Sequence, residues 1–140
     1  MPFHQSWLAR EYSVLFKSVQ LINSSGFYLC LADSSTLNES SPIASYIAAE
    51  PSGGGYTRKP VTFTGDAIFD NTKRAIVYPS VSGTWTPVAT PLQFQTVFLI
   101  ANGALTGTPE AIVAFFKEPL VRFRAPGSPY TATLVMERSI

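Results

Sequence analysis

The chain has 140 residues, 46% hydrophobic and 14% charged, and a formal net charge of +1. That length suits one domain, residues 1–140, which can bury roughly two thirds of the surface its unfolded chain exposes without help from a metal or a disulfide. The near-neutral balance supplies no long-range attraction for nucleic acid or an acidic membrane, so neither is expected as a partner.

Charged residues fall well below the roughly 25% of an average soluble domain, which implies a surface partly covered by partners. The single cysteine, Cys30, lies inside the apolar run 27–32 and reads as a small buried hydrophobe. No run approaches the roughly 18 apolar residues of a membrane span, and no basic region followed by an apolar core opens the chain. The expectation is assembly in a cytoplasm.

In chain order, residues 1–6 read as an N-terminal arm carrying Pro2, Phe3 and the lone histidine, His4, exposed or packed on a neighbour. Leu8, Tyr12, Leu15, Val19 and Ile22 recur at helical spacing, predicting an amphipathic helix over 7–23, started by Ser6 and stopped near Gly26. Its apolar face is expected to pack on the chain's own sheet, the alternative being another subunit.

Residues 27–32 form an apolar run of strand length, hence a strand buried on both faces. The Ser-rich stretch that follows, 33–49, is too polar to pack and reads as a long functional or mobile loop, with a helical turn over 43–50.

Glu50-Pro51-Ser52-Gly53-Gly54-Gly55-Tyr56-Thr57-Arg58 organises the chain. Three glycines release the backbone before a strand over 56–63, so Gly53, Gly54 and Gly55 form either a structural turn with positive φ and close backbone approach or a flexible loop tip. A phosphate loop is excluded, because no Gly-Lys-Ser/Thr ending and no helix follow. The block, with Val61-Thr62-Phe63 after it, resembles one found in small tailed-bacteriophage virion proteins labelled tail-fibre-like, capsid-decoration or structural. In that pattern come an N-terminal helix, an aromatic-rich strand, the glycine block, a proline-ended strand, a Trp and two further strands.

Further strands are expected at 67–69, 74–79, 92–101, 111–116, 120–124 and 130–137, with Ser80 to Thr84 as a turn. Asp66, Asp70 and Asn71 lack calcium-loop spacing and read as turn residues. Along 92–101 the period-two pattern puts Phe94, Thr96, Phe98 and Ile100 on one face. In 120–124 it sets Val121 and Phe123 against a wet face of Arg122 and Arg124. Trp85 reads as a rim residue over the core or, if exposed, as a sugar platform.

No fixed-period repeat argues for a fibre shaft. Short strands with turn signals near ten-residue spacing predict a mainly β fold, an antiparallel jelly-roll-like β-sandwich over 27–140 with one N-terminal helix. One histidine, one cysteine and no nucleophile elbow or zinc cluster give no basis for an enzyme, a metal or a cofactor. The resemblance implies a non-enzymatic virion protein: a capsid cement or decoration protein that bridges major capsid subunits and self-associates, as a trimer. Pro2, Phe3, Trp7, Tyr46, Tyr56 and Trp85 are the candidate subunit interface. A tail-fibre or baseplate adaptor and a carbohydrate-binding module are the alternatives.

Overall fold

The computed structural model describes residues 3–7, 26–101 and 110–139. Most of the expected helix 7–23, Pro2 and the expected turns at 102–109 lie outside them, although Gln5 to Trp7 are helical. In chain order the elements are β1 (Phe27–Ala32), α1 (Ile43–Ala48), β2 (Lys59–Val61), β3 (Ile68–Asp70), β4 (Ala75–Val77), β5 (Val81–Trp85), β6 (Leu92–Ala101), β7 (Ala111–Arg124), β8 (Tyr130–Leu134) and β9 (Glu137–Ser139). The chain is mainly β, and these strands pair antiparallel in sheets ordered β2-β1-β6-β7, β3-β4-β9 and β5-β8.

β1 is the central strand the apolar run predicts. Alternate side chains of a strand point to opposite faces, and here Phe27, Leu29 and Leu31 enter one core cluster while Cys30 and Ala32 enter the other. The first cluster fills the space to the β5-β8 sheet, which supplies Val81, Trp85, Tyr130, Ala132 and Leu134. The second is closed by Leu37 and Tyr46 from the segment after β1. Each large side chain buried this way stabilises the fold by about 1.5–3 kcal/mol.

The loop 33–49 therefore packs, contrary to the sequence reading. Leu37 and Tyr46 anchor it while its exposed Ser and Asn side chains bond their own backbone: Asn38 Oδ1 accepts Ser40 N–H at 2.8 Å and Ser41 Oγ accepts Asn38 N–H at 2.9 Å. Six residues cannot sustain an isolated helix, and α1 is held by Tyr46, whose ring meets Phe98 and Phe115 edge-on and whose hydroxyl donates to Asn38 O at 2.9 Å.

β6 has the expected bounds, and Phe98 and Ile100 lie opposite Val97 and Leu99 as expected, but Phe94 is on the other face from the one read for it. The pairing with β7 shifts between Phe94 and Thr96, so Leu92 and Phe94 share a cluster with Val97, Leu99 and Ala101, while Phe98 and Ile100 point the other way. An irregularity of this kind transfers every later side chain to the opposite face.

β7 runs unbroken where two strands were expected, with Pro119 accommodated in the irregular stretch on an edge strand. The expected turn at Ser80–Thr84 is instead β5. Gly83 sits mid-strand because a Cβ there would come within 3.1 Å of Lys59 Cβ, so its absence lets β5 approach β2. The expected strand 130–137 divides: Tyr130, Ala132, Leu134 and Met136 are buried together as read, but the chain leaves β5 and joins β4 as β9.

Candidate functional site

The glycine block is a structural lock. Gly54 and Gly55 both have φ of +67°, and the turn lies against the segment 87–92: Gly54 N–H donates to Thr90 Oγ1 at 2.7 Å and Gly54 O accepts Val88 N–H at 3.0 Å. A Cβ on Gly54 would lie 3.2 Å from Thr90 O. Both positive φ and close approach are thus present, and the loop-tip alternative falls.

Behind the turn, Glu50 accepts Tyr56 Oη–H at 2.8 Å and both Nε and Nη2 of Arg58 at 2.9 Å. Arg58 also faces Glu110 at 3.6 Å. Tyr56 Oη accepts the backbone N–H of Leu31 at 3.0 Å, which ties the block to β1. Hydrogen bonding to Glu50 holds the Arg58 guanidinium above its ordinary pKa, and burial first, then the anionic surroundings, pushes the Tyr56 phenol up. These groups are consumed by one another.

The N-terminal residues are not a free arm. Phe3 forms a bridge to Ala114, His4 N–H donates to Val113 O at 3.0 Å and Gln5 N–H to Glu39 O at 3.3 Å. His4 is buried: Nε2 donates to Ser41 O at 2.8 Å, Nδ1 accepts Ser6 N–H at 3.0 Å, and the ring meets Tyr46 edge-on. Ser6 Oγ lies 2.9 Å from His4 Nδ1, a pairing that invites a nucleophile reading. That hydroxyl accepts Ile112 N–H at 3.0 Å and lies 3.2 Å from Ile112 O, so it stitches the segment to β7. No carboxylate backs the ring, since its far nitrogen meets a carbonyl.

The candidate interface aromatics turn inward. Trp85 is 2% exposed, donates Nε1–H to Thr57 O at 2.8 Å and stacks on Tyr130; Tyr46 is 0% exposed. Neither covers a rim nor presents a face to a sugar, because burying a large ring in the core outweighs leaving it at the surface. Phe3 and Trp7 are half-buried on the first cluster, as is Tyr56. Among the described residues no three or more His, Cys, Asp or Glu gather as a metal set, and no helix is long and apolar enough to cross a membrane. Asp70 Oδ1 accepts the N–H groups of Thr72 and Lys73, the turn role read for it.

What the surface does present is apolar. Leu120 is 76%, Phe123 58% and Val121 52% exposed on the distal part of β7, and Ile68 and Phe69 are exposed on the edge strand β3. This reverses the reading of 120–124. Arg122 turns toward the protein and donates to Glu118 Oε2 at 3.0 Å, while Tyr130 Oη donates to Glu118 Oε1 at 2.7 Å. Arg124 lies over the Tyr130 ring at 5.6 Å. Burial raises the Glu118 carboxyl, but the Tyr130 and Arg122 hydrogen bonds and the charges of both arginines outweigh it and leave its pKa below the ordinary value. Glu118 therefore draws the arginines in and leaves Val121 and Phe123 outside. Alternation in the sequence marks two faces here, but not which one is dry. Comparisons with protein-family models, curated proteins and solved structures find no match to this chain.

Proposed function

We propose that this chain is a non-enzymatic structural protein of a tailed-bacteriophage virion, a capsid cement or decoration protein that stabilises the shell by bridging major capsid subunits. The observation that carries the reading is the exposed apolar surface of Leu120, Val121 and Phe123 on a chain with only 14% charged residues. Large apolar side chains this exposed along one strand edge mark a place that a partner covers. The polar clusters support it from the other side, since Glu50, Tyr56, Arg58, His4 and Ser6 are occupied in holding the fold.

In this reading the β5-β8 sheet and the four-stranded sheet form the two layers of a jelly-roll-like sandwich, and copies self-associate, as trimers, on the assembled shell. Bridging falls to exposed strand faces, because the described N-terminal residues and loop 33–49 are docked on their own chain. A protein that binds only the closed shell lowers its free energy relative to the opened one.

The test is the copy number of this chain per major capsid subunit in purified particles, by quantitative mass spectrometry. A ratio approaching one supports the cement role. A few copies per particle place the chain at the tail as an adaptor, and absence from particles removes the virion reading.

A further inference from the structure

We propose that the outer edge of β7 from Leu120 to Arg124 is a docking strand for an extended, acidic and apolar segment of a partner protein. The inference rests on the assembly reading and names the chemistry of the partner at that surface.

β7 is the last strand of the four-stranded sheet. Its first part is covered by the chain itself, where Phe3 bridges Ala114 and His4 N–H bonds Val113 O. Along 120–124 the described residues supply no such cover, and three large apolar side chains stand in solvent there. Soluble proteins blunt apolar strand edges with charge, proline or a covering segment. Pro119 blocks pairing at its own position, having no N–H, but the strand resumes beyond it and pairs with β6 through Arg122, Phe123 and Arg124.

Charge selects the occupant. Lys117, Arg122 and Arg124 flank the apolar residues, and the only acid of the stretch, Glu118, is turned to Arg122 and Tyr130. Glu118 offsets Arg122, so Lys117 and Arg124 leave the edge net positive, and a second copy would bring basic edge against basic edge. An acidic segment complements it. Val121 and Phe123 share one face and Arg122 and Arg124 the other. A segment alternating Asp or Glu with apolar residues places a carboxylate beside Arg124 and its apolar side chains beside Val121 and Phe123.

The experiment uses the full chain and two pools of short fluorescent peptides. One alternates Asp or Glu with Val, Leu or Phe; the other alternates Lys or Arg with the same apolar residues. Anisotropy at low and high salt reads binding. The acidic pool is expected to bind at least about tenfold tighter than the basic pool and to weaken with salt. Binding is expected to fall about tenfold in the doubly substituted Leu120→Ser, Phe123→Ser chain, whose changed positions are exposed and whose melting should stay native. Arg124→Glu should narrow the preference between the pools.

Equal binding of the two pools, no binding of the acidic pool, or an unaffected double variant would overturn the inference. Self-association that is lost in the double variant would also overturn it, in favour of a second copy. A chain abundant in particles yet blind to the acidic pool sinks this inference alone. A chain that binds the acidic pool but is absent from particles sinks the virion reading and leaves the docking strand.

Discussion

Arg58 and Glu50 form a two-pronged ion pair, Nε to Oε1 and Nη2 to Oε2, each at 2.9 Å, closing the chain across the glycine turn. A lysine supplies one charge but not the planar fork, so Arg58→Lys should lower stability by about 1.5 kcal/mol. Tyr56→Phe removes the acceptor for the buried Leu31 N–H and should cost about 1–3 kcal/mol. Urea unfolding, with shifted midpoints at unchanged slope, checks both.

Two glycines with positive φ should respond differently to alanine. Gly127→Ala meets open space and should cost only the backbone penalty, about 1–2 kcal/mol. Gly54→Ala adds contacts of 3.2 Å with Thr90 O and 3.3 Å with Leu92 Cβ and should cost clearly more. The facing loop holds the converse case: Ala89 has φ of +65° in a tight turn closed by Thr90 N–H to Val88 O at 2.7 Å. Ala89→Gly should stabilise by up to about 1 kcal/mol. Thermal melting of the three variants orders them.

Trp85 tests the core against the surface. Trp85→Ala should cost about 3–5 kcal/mol, the range for emptying a large aromatic site, and should change no glycan interaction. Glycan-array signal that depends on Trp85 in a natively folded chain would contradict its burial.

Glu118 gives a pH dependence of known sign. Its folded carboxyl titrates below the unfolded value of about 4.3. Its contribution is thus fully present above that pH and is lost as pH falls through the depressed value. Glu118→Gln should flatten this part of the acid limb of a stability-against-pH curve, with the variant and parent converging at the lowest pH.

Cys30 is fully buried, and burial followed by the Glu50 charge pushes its thiol pKa up. In the native chain it should resist alkylation and react in urea, with mass spectrometry reading the adduct. Fast native labelling would mean that β1 opens.

The sequence alone determined the elements whose signal is local. The apolar run 27–32 and the run 92–101 became strands with those bounds, because continuous burial and β-forming side chains need no knowledge of partners. The turn at Gly53 to Gly55 was legible from backbone chemistry, and the buried side of 130–136 from its period of two.

Tertiary structure decided what depends on a neighbour. Whether Phe94 faces the same way as Val97 is set by a pairing shift against β7, and the polarity of 120–124 by Glu118 and Tyr130 capturing the arginine side. His4 and Tyr46 looked like surface residues, but the docking of His4 on β7 and of α1 on the second cluster buries the two rings together. A side chain's face follows from its strand's register, and register is a property of two strands, so one strand's sequence cannot fix it.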